Sequence, residues 1–167
     1  MAFVTFDEAR QYLRLPDSVT SDAVLTQIIN SVCAMIETAI GRPVEEASYT
    51  DWFVDQYQVK KVVLRMYPVT SITSVEVEGE TLSSDAYWVE SDIGILHFEE
   101  PQSGDIKVVY TAGYTTAPED LKGVALELIR EIWIAQQSVA GEPGTKPEDY
   151  AERLQKHPII QKYRKVT

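Results

Sequence analysis

A chain of 167 residues with 44% hydrophobic and 25% charged residues suits one domain with a real core, burying roughly 70% of its unfolded surface, and is too apolar to stay disordered. Its one cysteine, Cys33, excludes an intrachain disulfide and falls inside an apolar helical pattern, which points to a buried thiol and a reducing, cytosolic origin. The net charge of −11 is uneven: residues 1–150 hold ten Lys/Arg against 25 Asp/Glu, whereas 151–167 hold Arg153, Lys156, Lys162, Arg164 and Lys165 against Glu152, an acidic body with a basic tail.

The first residues show neither the basic nor the apolar region of a signal peptide. Thr5 followed three residues later by Glu8 is a capping box and predicts a short helix over about 6–14, stopped by Pro16. Asp22 offers the next N-cap, and Val24, Leu25, Ile28, Ile29, Val32, Cys33, Ile36, Ala39 and Ile40 recur at helical spacing until Gly41 and Pro43. Thr26, Gln27, Asn30, Ser31 and Glu37 interrupt the apolar run, so it reads as an amphipathic core helix and no membrane contact is expected.

From Tyr49 to Tyr110 aromatic and β-branched residues replace the helical period. Strands are expected over 59–66, 72–77, 87–90, 93–98 and 106–110, with turns at 78–80, at 91–92 or 93–94, and at 101–104, which makes a small antiparallel meander. The stretch 76–105 has nine acids and no Lys or Arg, and should face open solvent or a channel and repel DNA.

Thr116, Pro118, Glu119 and Asp120 start a second long helix over about 118–138, with Leu121, Val124, Ala125, Leu128 and Ile132 as its stripe. Residues 141–147 read as a Gly/Pro linker, 148–156 as a short helix broken at His157-Pro158, and 159–166 as a further turn or two. The expected class is α+β: a helical bundle of two long helices plus short helices with an inserted small antiparallel β-meander. Its organisation would be a core domain over 1–140 with the β insertion at about 49–111, a linker at 141–147, and a C-terminal basic tail at 148–167.

Chemistry is scarce. His97 and His157 are the only histidines and neither sits in a nucleophile–base motif. His97 and Glu99 alternate onto one strand face, but two ligands do not make a metal site. The acids lack calcium-loop spacing and no glycine-rich phosphate loop follows a strand. No catalytic residue, cofactor or metal is therefore predicted. Trp133 lies off the stripe of its helix, which fits either a doubly packed core helix or a partner contact. Ile159, Ile160 and Tyr163 form an apolar set in the basic tail beside Arg153 and Arg164, which fits either a tail folded back on its own body or one that docks on a neighbour. Trp133, Arg153, Ile159, Ile160, Tyr163 and Arg164 are the candidate partner-binding residues.

The chain opens with Val4-Thr5-Phe6-Asp7-Glu8-Ala9-Arg10-Gln11-Tyr12-Leu13-Arg14, followed by the helix that closes on Gly41-Arg42-Pro43. It continues with Leu64-Arg65-Met66-Tyr67-Pro68-Val69-Thr70-Ser71-Ile72-Thr73-Ser74-Val75, then Tyr110-Thr111-Ala112-Gly113-Tyr114 ahead of Pro118-Glu119-Asp120-Leu121. In order and spacing, over about 3–137, this set resembles the phage head–tail connector family, the head-completion or DNA-packaging adaptors of tailed phages and prophages. The resemblance implies a non-enzymatic structural subunit, a helical bundle with a small β insertion, made in the bacterial host cytoplasm and ending in the virion neck. It implies a homo-oligomeric ring, usually twelvefold, that joins the portal protein to a downstream neck or tail-completion protein. DNA would pass through the ring's channel without specific binding. Acid density alone leaves open a DNA-mimicking module that binds a basic nucleic-acid-binding protein, and an enzyme would need two carboxylates with separated pKa values in a pocket.

Overall fold

Two caps fix the first helices. Helix α1 (Phe6–Tyr12) begins at the Thr5–Glu8 box, where Glu8 N–H donates to Thr5 Oγ1 at 3.2 Å and Thr5 N–H donates to Glu8 Oε2 at 2.7 Å. Helix α2 (Ala23–Ile40) begins where the Asp22 carboxylate accepts the Leu25 N–H at 2.9 Å, and it ends at Gly41, whose φ of 81° favours glycine. The structure, a computed structural model, describes residues 2–19, 22–137 and 147–164.

The chain divides into two compact units, one from Met1–Val44 with Thr116–Thr167 and one from Glu45–Thr115. In the first, α2 buries Leu25, Ile28, Ile29, Val32, Cys33, Ile36 and Ile40 and packs against α1, α3 (Glu119–Gln137), α4 (Pro147–Lys156) and α5 (Pro158–Tyr163). Its core is completed by Leu121, Val124, Ala125, Leu128 and Ile129 of α3 and by Tyr150, Leu154 and Ile160. Lys122 of α3 reaches Glu8 of α1 at 2.7 Å. The described part of the tail, 147–164, is thus a pair of helices folded onto α2 and α3. Residues 141–146 of the expected linker lie outside the described residues.

The second unit is one antiparallel sheet of five strands: β1 (Ala47–Val63), β2 (Val69–Val77), β3 (Glu80–Thr81), β4 (Tyr87–Glu90) and β5 (Ile95–Ala112). Strand β5 is its centre, pairing with β1 along both their lengths, with β2 through its second half and with β4 through its first few residues. A straight strand would carry residues 14 apart about 46 Å at roughly 3.3 Å each, yet Arg65 N–H donates to Asp51 Oδ2 at 2.7 Å. Strand β1 therefore turns back on itself. Inside the bend lie Val62, Leu64, Val75, Leu96, Phe98, Ile106, Val108 and Tyr110, with Asp51, only 2% exposed, accepting also from Arg65 Nε at 2.6 Å and from the Tyr110 hydroxyl at 2.9 Å.

This architecture corrects the expected fold class. The chain is α+β, but it is not a helical bundle of two long helices carrying a small meander: the five-stranded sheet dominates, with strands of 17 and 18 residues. Nor is the sheet a meander, since β1 pairs with the last strand instead of the next. The expected turn at 101–104 is strand interior, because Pro101 falls where β5 runs three residues longer than β1 between the Val59–Gln102 and Lys61–His97 pairs. A bulge of that kind leaves a residue unpaired, so the missing proline N–H costs no ladder bond.

Candidate functional site

The predicted partner-binding residues lie on three helices of the first unit. Trp133, on α3, is half-buried. Arg153, on α4, is exposed, donates to Glu131 Oε1 at 2.7 Å and sits over the Tyr150 ring. On α5, Ile159 is half-buried, Ile160 is fully buried, and the Tyr163 hydroxyl meets both Asp120 carboxylate oxygens at 2.8 and 3.0 Å. Lys162 adds an ion pair to Asp120 at 3.0 Å, and Arg164 is exposed just beyond the helix. Burial alone would raise the Asp120 carboxyl, but the Tyr163 hydroxyl and Lys162 outweigh it and hold Asp120 below the usual carboxylate range. Part of the tail's positive charge is therefore matched by acids of its own unit. Trp133 belongs elsewhere, in a groove of about 720 Å³ that it shares with Tyr12, Leu13, Arg14, Leu15, Arg130 and Ile134.

The β unit holds a second surface that the sequence did not reveal. Trp52, Val54 and Tyr57 are 61%, 59% and 82% exposed, while Phe53 and Val59 of the same strand pack on the core. Trp52 and Val54 flank Phe53 by plain alternation. The first of two one-residue bulges in β1, between Phe53 and Gln56, brings Tyr57 to the same outer face, and the second, between Gln56 and Val59, returns Val59 to the core. Asp55 and Gln58 absorb the bulges with φ of 53° and 52°. Each freed amide is held by a β5 side chain: Asp55 N–H donates to Asp105 Oδ1 at 2.9 Å and Gln58 N–H donates to Ser103 Oγ at 3.0 Å. On the same face Lys107 lies 5.6 Å from the Trp52 ring centroid and pairs with Glu76 at 3.1 Å. Unshifted alternation places Tyr57 with Phe53, so only the first bulge, invisible in the sequence, exposes it.

Charge follows the units. The β unit has four Lys/Arg against thirteen Asp/Glu, a net of −9, and the helical unit eleven against thirteen, a net of −2. Of the nine acids in 76–105, seven are exposed; the half-buried Glu76 and Glu90 face Lys107 and His97. His97 stacks on Trp88 with ring centroids 4.0 Å apart and bonds Glu90 at 2.8 Å, so it is not joined to Glu99. Among the described residues no group of three or more His, Cys, Asp or Glu could hold a metal. Glu127, Glu131 and His157 line a groove of about 110 Å³, well below the roughly 300–1,000 Å³ of ligand pockets. What these residues offer is surface, apolar and charged.

Over residues 2–166 the sequence matches the head completion protein family. The chain belongs to that family. A head completion protein is a head–tail connector, a structural component of virion assembly. Its fold is similar to that of a chain in the neck of an empty gene transfer agent (GTA) particle computed with C6 symmetry, at 18% identity over 98% of this chain and 90% of that one, with a TM-score of 0.64. A chain of the native gene transfer agent virion is similar at 16% identity, 98% and 90% coverage and a TM-score of 0.63. A chain in the neck of the native particle computed with C12 symmetry is similar at 15% identity, 96% and 88% coverage and a TM-score of 0.61. A comparison with curated proteins gave no match.

Proposed function

We propose that this head completion protein closes a ring, twelvefold in the virion, between the portal and the next neck or tail-completion protein, and that the ring extends the channel through which DNA passes. The family match across nearly the whole chain carries the reading, and the surface fits it. Seven exposed acids in 76–105 would keep sliding DNA from adhering to the ring. The subunit would be made in the host cytoplasm and act in the virion neck as a mechanical joint. Family membership favours this reading over the DNA-mimic alternative, which rests on the same acids. Native mass spectrometry of the full chain, alone at high concentration and low salt and then with portal protein, tests the reading. A closed oligomer in either condition is expected, and a monomer in both would overturn it.

A further inference from the structure

The geometry points to the subunit contact: the outer face of the β1–β5 ribbon, centred on Trp52, Val54 and Tyr57, docks into the groove between the end of α1 and α3 of a second copy of this chain. The inference rests on the ring reading and supplies its interface. Three observations carry it.

The first is preorganisation. The bulge that turns Tyr57 outward and the one that follows it are tied down, through Asp105 and Ser103, so docking would not have to order a loose loop, and that cost is removed in advance. Rigid aromatic side chains on such a face are the residues that anchor interfaces.

The second is complementarity. The ribbon face is apolar and rimmed by the exposed acids Asp55 and Asp105, with the Lys107 on it paired to Glu76, within a unit of net charge −9. The groove is apolar through Leu13, Leu15, Trp133 and Ile134, and its rim carries Arg14 and Arg130. Neither arginine has an ion-pair partner among the described residues, unlike Arg10, Arg65, Arg153, Lys107, Lys122, Lys156 and Lys162. Opposite rims around apolar centres give an approach that is steered and a contact that is held.

The third is symmetry. The two patches are unlike and sit on different units, so a contact between copies is heterologous, and a heterologous contact with a closing rotation makes a ring. The same feature gives the test its logic. A copy with a damaged ribbon still has an intact groove, and a copy with a damaged groove still has an intact ribbon.

Two full-length variants are needed, V54S/Y57S for the ribbon and R130E/I134S for the groove, all four positions being exposed. Circular dichroism and thermal unfolding establish that each is folded. Assembly is measured by sedimentation velocity and native mass spectrometry, in whichever condition the unaltered chain associates, alone or with portal. Each variant alone should associate at least tenfold more weakly than the unaltered chain. Mixed, they should form a one-to-one heterodimer that stops there, because only one productive interface is left. Should both variants assemble like the unaltered chain, the interface lies elsewhere while the ring reading stands. If they assemble normally but fail to bind portal, the ribbon faces the portal and this inference is overturned. Weak association of the single variants without heterodimer in the mixture would also overturn it. An unaltered chain that never associates, with or without portal, overturns the ring reading and this inference with it.

Discussion

Asp51 holds the bend of the β unit through three hydrogen bonds, and their worth is unequal. Its pair with the Arg65 guanidinium is close, at 2.6 Å, but that side chain is 66% exposed, so the ion pair contributes less than about 1 kcal/mol. The Tyr110 hydroxyl is fully buried, donates to Asp51 and accepts from Met66 N–H at 3.1 Å. Burial and the neighbouring carboxylate keep this phenol protonated far above its ordinary range. Asp51→Ala would orphan it together with the Arg65 amide, at a cost of about 2–3 kcal/mol. Urea unfolding should show that loss in Asp51→Ala and less than about 1 kcal/mol in Arg65→Ala; equal losses would mean that the ion pair, not the buried bonds, holds the bend.

Glu8 and Asp120 make the helical unit acid-sensitive. Burial raises both carboxyls, but Lys122 and Thr5 on Glu8, and Tyr163 and Lys162 on Asp120, leave both below their ordinary values. A depressed folded value means stability present above the unfolded pKa, about 4 for these groups, and lost as pH falls through the folded values. Helical circular dichroism followed from pH 5 downward should therefore decline as these carboxyls protonate. Its midpoint should shift in the Glu8→Gln/Asp120→Asn double variant, and an unchanged acid profile would contradict the assignment.

At the scale of elements, α5 belongs to the core. Ile160 is fully buried, and Tyr150 and Leu154 of α4 are nearly so. Ile160→Ala should cost about 2–4 kcal/mol, and removal of 148–167 should leave α2 and α3 with an uncovered apolar face and a marginal helical unit. A truncated chain with unchanged thermal stability would place α4 and α5 outside the core.

The helix ends were legible because capping is local: Thr5 with Glu8, Asp22 and Gly41 each announce themselves within four residues. Strand extent was not legible, because β1 and β5 are set by pairing between residues such as Phe53 and Ile106. No local pattern encodes so distant a register. The same blindness hid the outward face of Tyr57, which depends on the bulge between Phe53 and Gln56. Of the candidate residues, Trp133 was singled out by its position off the helix stripe, and it does line an open groove. Ile160 and Tyr163 fit either a folded-back or a docked tail in the sequence, since nothing local shows the surface that α2 and α3 offer to Ile160.

On the scale of the whole molecule, the acidity resides in the β unit. Replacing the exposed Glu80, Asp85, Asp92 and Glu100 with lysine would almost neutralise that unit without touching its core. The variant should fold with unchanged unfolding midpoint and gain DNA binding that falls steeply with salt. Electrophoretic mobility shifts at low and high salt measure it, and an absence of binding at low salt would remove the acids' role in keeping DNA off the surface.

The helical unit is built from the two ends of the chain, with all of 45–115 between them. On a ribosome adding about 5–20 residues per second, the whole β unit emerges before the first residue of α3. The β unit can close as soon as β5 is out, its first and last segments bridged at Glu45 and Tyr114. Helix α2 cannot cover its stripe of seven buried residues until α3 follows, a delay on the order of several seconds. The nascent chain thus carries an unshielded apolar helix through most of its synthesis, and a chaperone at the ribosome would find its target there and not in the sheet.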